Sequence, residues 1–136
     1  MGTELKNKIE SDLKKNINTK SLFQTIVNSL NGIKWYAKDG KSIILYTFGL
    51  IIELLLAIVY KINGLEWILI ICIQGIILTV ELLNTAIEAA CDAVTKEYNN
   101  YVRIAKDCGS AATFIVFIVY IILNVIIFLP KVVAMF

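Results

Sequence analysis

The stretch from Trp67 to Asp92 constrains this chain more than any other. Between Trp67 and Val80 only Gln74 is strongly polar. Then Glu81, Asn84, Glu88 and Asp92 follow at spacings of three, four and four. No proline interrupts the stretch, and Gly75 is its only glycine. The pattern predicts one long helix whose polar side chains stack along a single face. Such a helix begins as a lipid-soluble rod and ends carrying carboxylates. Ionisable groups in a membrane helix are costly and normally face a cavity, a partner or a substrate path. Three carboxylates and an amide in one line suit a divalent cation and phosphate groups. The plain alternative is a solvated helix end. It suits Asp92, last in the row, far better than Glu81, which apolar residues flank on both sides.

Composition agrees. Of 136 residues, 58% are hydrophobic, against roughly 45–50% in soluble domains. One membrane-embedded domain is the size that follows. There is no histidine, which excludes histidine-based zinc sites and histidine bases. The three cysteines, Cys72, Cys91 and Cys108, are odd in number and lie in or beside apolar runs, as reduced or lipid-buried thiols do. The net charge of +2 by itself decides nothing, and no nucleic-acid partner is expected. The N-terminus is lysine-rich and polar past residue 20, unlike a cleaved secretory signal.

The expected fold class is an all-α integral membrane protein: a surface helix followed by three spans. Residues 4–31 read as a basic amphipathic helix, with Leu5, Ile9, Leu13 and Ile17 recurring every four residues among lysines. It suits the anionic cytoplasmic leaflet. Asn31-Gly32 predicts a break, and Trp35-Tyr36 suits an interface. In the turn that follows, Gly40-Lys41-Ser42 imitates the end of a P-loop. Trp35 occupies the position of the required earlier glycine and no strand precedes, so that reading is rejected. The surface helix and turn take residues 1–41 and the three-span domain 42–136, with spans at about 42–60, 67–92 and 108–129.

The short loop Lys61–Glu66 makes the first two spans antiparallel. Counting outward from it puts Glu53 and Gln74 at the same depth, which predicts a hydrogen bond between Gln74 and a neutral Glu53. Thr95–Lys106 reads as a polar connection and Asp107 as the residue that opens the third span. Gly109–Thr113 is a small-residue patch that permits close backbone approach, and Pro130-Lys131 ends the span. Eight lysines precede the first span, and Lys96, Arg103 and Lys106 lie between the second and third. The first loop has only Lys61 and the tail only Lys131. The positive-inside bias therefore places the N-terminus and the 95–106 loop in the cytoplasm, and with them the polar stripe.

A carboxylate row at that boundary, beside Arg103 and Lys106, suits phosphoryl transfer to a lipid alcohol. Carboxylates hold Mg²⁺, a lysine steadies the transferring group, and one carboxylate takes the hydroxyl proton. At this point Glu81-Leu82-Leu83-Asn84-Thr85-Ala86-Ile87-Glu88, followed by Asp92, resembles the signature of the small prokaryotic diacylglycerol kinase and undecaprenol kinase family. Ala105-Lys106-Asp107 with Gly109-Ser110-Ala111-Ala112 resembles its second block, and the similarity runs from about Gly32 to Lys131.

The resemblance implies a bacterial plasma-membrane homotrimer of three-span subunits, with an ATP-Mg²⁺ site shared between neighbouring chains. It implies Glu81 as the base, Glu88 as a metal ligand, and Asn84 and Asp92 as residues that shape the site. It further implies Glu97, Tyr98, Asn99, Lys106 and Asp107 as nucleotide contacts. In one place the chain departs. The family's second metal-binding glutamate, before the first span, aligns with Gly40, which Asp39 precedes. Asp39 is the expected replacement, since Glu53 lies on the order of 15 Å too deep.

For the lipid, Leu65-Glu66-Trp67, Thr95-Lys96-Glu97-Tyr98 and Phe128-Leu129-Pro130-Lys131 resemble the undecaprenol branch. Gly109-Ser110-Ala111-Ala112 resembles the diacylglycerol branch, and the balance leans modestly to undecaprenol. A carboxylate-lined transporter and a non-catalytic membrane subunit are the alternatives.

Overall fold

A computed structural model describes residues 22–38 and 41–135. Four helices carry the chain in order: α1 Leu22–Lys38, α2 Lys41–Val59, α3 Gly64–Val94 and α4 Asn100–Val133. Residues 1–21, which hold most of the expected amphipathic stretch, lie outside the described residues, as do Asp39 and Gly40.

The described part of that stretch is helical and does not break at Asn31-Gly32, contrary to expectation. A glycine inside a helix costs about 1 kcal/mol relative to alanine, and without a proline nearby that does not stop the helix. Phe23, Ile26, Leu30 and Ile33 recur at helical spacing, and all are exposed. Leu22–Lys34 belongs to one compact unit, and Trp35 onward belongs to a second.

In the second unit α2, α3 and α4 are each long and apolar enough to cross a membrane. Their large apolar side chains point mostly outward; Leu45, Ile58, Ile71, Ile115 and Ile126 are all more than half exposed. Water does not tolerate so continuous an apolar surface, whereas acyl chains or further protein do.

Helix α3 starts at Gly64, earlier than the expected Trp67, because Asn63 and Glu66 form a capping box. The Asn63 side chain accepts from the Glu66 N–H at 3.0 Å, and Glu66 Oε2 accepts from the Asn63 N–H at 2.7 Å. Glu66 also pairs with Lys131 Nζ at 2.9 Å, which ties the start of α3 to the end of α4. Lys61, at φ 49°, turns the chain between α2 and α3.

Helix α4 starts two turns before Asp107. Asn99 is its N-cap, its side chain accepting from the N–H groups of Tyr101 at 2.9 Å and Val102 at 3.3 Å. Asparagine caps as well as aspartate does, and nothing from Asn100 to Asp107 breaks a helix. Pro130 lies inside α4, which continues to Val133. So near the end, the ring forfeits one backbone bond and little else, and the Ala134 N–H closes the turn on the Pro130 carbonyl at 3.1 Å.

Helices α3 and α4 form the closest pair. A cluster of buried apolar residues lies beside the 61–66 turn: Ala57, Ile62, Ile70, Ile127 and Phe128, with Tyr60, Trp67 and Leu123 packed on it. Tyr60 meets Phe128 edge-on at 6.0 Å. The apolar core of the bundle therefore lies at the turn end, and the Glu81–Asp92 row lies toward the other.

Candidate active site

On α3 the polar row falls on one face, as its spacing requires. Glu81 is half-buried, whereas Glu88 and Asp92 are exposed. Asn84 Nδ2 donates to Glu88 Oε1 at 3.1 Å. The other end of that amide, Oδ1, is buried without a hydrogen-bond partner and abuts Gly109 of α4. A β-carbon at position 109 would collide with it. Gly109 is thus the place where α4 comes close enough to fix the Asn84 side chain. The small-residue patch predicted close approach; the structure identifies its target.

Further along the row, Lys106 Nζ of α4 pairs with Asp92 Oδ1 at 2.6 Å. Arg103 pairs with Asp107 at 3.1 Å and reaches Asn100 Oδ1 at 3.2 Å. The connection from Thr95 to Asn99 folds back on itself, with the Glu97 N–H donating to Thr95 Oγ1 at 3.0 Å. Together these elements surround an open cavity of about 380 Å³. Its lining includes Asp92, Glu97, Tyr98, Asn99, Lys106 and Asp107. All five residues expected at the nucleotide meet there. Arg103 and Lys96 join them; their positive charge was legible in the sequence, but their place in the wall was not.

Glu81 faces a different cavity, of about 270 Å³ and mainly apolar, between α2, α3 and α4. Tyr36 and Ser42 line it, as do Tyr46, Gln74 and Tyr120 deeper in the bundle. Sequence reasoning missed this lining, because its members come from separate helices and only packing brings them together. Below Glu81 the predicted pair is present: Gln74 Nε2 donates to Glu53 Oε2. Tyr46 OH donates to the Gln74 main-chain carbonyl at 3.3 Å. Both side chains are buried.

From Glu81 to Asp92 is three helical turns, roughly 16 Å, about the length of an extended nucleoside triphosphate. The row thus connects an apolar cavity at one end to a charged cavity at the other.

No three carboxylates or thiols among the described residues converge on one point. Glu88 nevertheless fits Mg²⁺. It is exposed, one oxygen accepts from Asn84, and the other remains open. A nucleotide-bound Mg²⁺ keeps its waters and needs only one or two protein carboxylates. Asp39, the expected second ligand, lies outside the described residues.

Comparison with known proteins supplies the family. The family described as prokaryotic diacylglycerol kinase matches residues 27–128. Over 109 residues the chain is 28% identical to the undecaprenol kinase of Bacillus subtilis (strain 168), covering 80% of this chain and 89% of that protein. Over 75 residues it is 37% identical to the diacylglycerol kinase of Escherichia coli (strain K12), covering 52% of this chain and 62% of that one. These matches set aside the transporter and the non-catalytic subunit. With three apolar helices and a match across most of its length, the chain belongs to the prokaryotic diacylglycerol kinase family of membrane lipid kinases.

Proposed function

We propose that the protein transfers the γ-phosphoryl group of ATP to the hydroxyl of a membrane lipid, diacylglycerol or undecaprenol, in an Mg²⁺-dependent reaction at the cytoplasmic face. The observation that carries this reading is the polar row linking the apolar cavity under Glu81 to the charged cavity around Lys106. The lipid hydroxyl enters from the apolar side. Its oxygen attacks the γ-phosphorus, the bond to the β–γ bridging oxygen breaks, and ADP leaves. Glu81, half-buried at the boundary, takes the hydroxyl proton. The nucleotide lies along the row, its base end among Glu97, Tyr98 and Asn99 and its phosphates beside Lys106 and Asp107. Asn84 and Asp92 hold Glu88 and Lys106 in place through the bonds described above. Mg²⁺ on Glu88 supplies charge neutralisation and orientation of the phosphates, with Asp39 as its second carboxylate.

The row is open to solvent along Glu88 and Asp92, and the exposed apolar faces leave room for neighbours. We therefore include the homotrimer in the proposal, a second chain closing each site. The decisive experiment offers radiolabelled ATP to the purified protein in mixed micelles of each lipid. Label moving into either lipid only when Mg²⁺ is present supports the reading; ATP hydrolysis without lipid labelling contradicts it.

The orientation has its own test. Cys108 and Cys72 are exposed and Cys91 is buried. An impermeant thiol reagent on the cytoplasmic side should label Cys108 and spare Cys72, which lies in the outer half of α3. Preferential labelling of Cys72 would invert the topology.

A further inference from the structure

The cavity under Glu81 has a polar floor. Gln74 lies on its wall, 8% exposed, two helical turns from Glu81 on the same face of α3. Glu53, 1% exposed, accepts from the Gln74 amide. The ion pairs of the described residues all lie elsewhere, so the pair is read as an amide joined to an uncharged acid. A primary amide carries two N–H groups and two acceptor lone pairs. One N–H serves Glu53, and Gln74 Oε1 is buried with no partner. In either orientation of the amide, an N–H is left over beside the cavity. A polar group with spare capacity at the bottom of an apolar cavity is costly unless a ligand completes it.

The spacing indicates which ligand. Two turns of α3 separate Glu81 from Gln74 by roughly 11 Å; a hydrogen bond of about 2.7–3.0 Å at each end leaves roughly 5 Å between the two lipid atoms. In a 1,2-diacylglycerol the free hydroxyl and the neighbouring ester carbonyl stand about that far apart, with the carbonyl on the acyl-chain side. A polyprenol has only hydrocarbon at that depth. Resting on the kinase reading above, we propose that Gln74, held by Glu53, is a specificity-determining residue that donates a hydrogen bond to an ester carbonyl of diacylglycerol. This runs against the modest lean of the sequence motifs toward undecaprenol.

The test uses the full-length protein in mixed micelles with Mg-ATP. It compares 1,2-dioleoylglycerol with its diether analogue, in which both carbonyls are replaced by methylene groups. The expected wild-type preference for the ester is about tenfold in kcat/KM, carried mainly by KM. In Gln74→Leu the ester-to-ether ratio in kcat/KM should fall to about one. Equal wild-type use of ester and ether overturns the proposal, even if Gln74→Leu fails to fold. A Gln74→Leu protein that loses activity on ester and ether equally, with the ratio intact, also overturns it, because Gln74 is then only a structural tie. Phosphorylation of polyprenol alone defeats this inference and leaves the kinase reading standing. Phosphorylation of no lipid defeats both.

Discussion

Two carboxylates in this bundle, Glu81 and Glu53, lie in similar apolar sequence and have different surroundings. Glu81 is half-buried at one end of a row that leads through Asn84 and Glu88 to the Asp92–Lys106 pair. Glu53 is 1% exposed, accepts from the Gln74 amide, has Asn124 beside it, and joins none of the ion pairs among the described residues. In the proposed reaction the first exchanges a proton with the lipid hydroxyl. The second is placed to hold a neighbour still. An acid within a span therefore signals a function without saying which; access and partners decide between chemistry and positioning.

A large break in the row that serves Glu81 is expected from Glu88→Gln. Removing the proposed metal carboxylate from the row should raise the Mg²⁺ concentration needed for half-maximal activity by about ten- to a hundredfold. Mg²⁺ titration of the rate measures this, and an unshifted requirement would remove Glu88 from the metal shell. The buried pair should answer a different assay. Gln74→Leu leaves the Glu53 carboxyl without its partner at a cost of about 1–3 kcal/mol, visible as a lower Tm in detergent. An unchanged Tm would mean that the Gln74–Glu53 bond adds nothing to stability.

The smallest effect is expected at Gly109→Ala. The new methyl group collides with the far end of Asn84 and otherwise meets Ile87 Cδ1 at an ordinary 3.8 Å, so the helices need not separate and Tm should change little. The Asn84 amide must rotate away, and its bond to Glu88 is lost. A few-fold fall in turnover with near-normal stability is expected. A large loss of stability would instead show that the α3–α4 backbones have no room to spare.

How much of this was legible in the sequence follows from the range of each interaction. The polar row depends on spacing within one helix, and so it was legible. The Glu53–Gln74 bond was legible because a short turn equates depth with distance along the chain. Helix ends were read less well. Asn99 captured the start of α4 from Asp107, and Pro130 came too late in its helix to stop it, because local capping geometry outweighs residue type. The contact of Gly109 with Asn84 and the lining of the cavity under Glu81 were not legible. They arise only when α2, α3 and α4 meet, and no periodicity within one helix encodes which of its residues face a particular neighbour. Asp39, the expected second metal ligand, still rests on the sequence.

Chemistry at Glu81 and positioning at Glu53 are the two roles to be separated. The most direct measurement compares initial rates of phosphoryl transfer to diacylglycerol for Glu81→Gln and Glu53→Gln, in the same micelles at saturating Mg-ATP. Glutamine in place of an uncharged Glu53 keeps a hydrogen-bonding partner for Gln74, so that rate should fall no more than a few-fold. Glutamine in place of Glu81, the proposed general base, should lower the rate by about a hundredfold or more, with Mg-ATP binding retained. A Glu53→Gln rate that exceeds the Glu81→Gln rate by that margin is the predicted result. Equal rates, or a more severe loss at Glu53, would contradict the account.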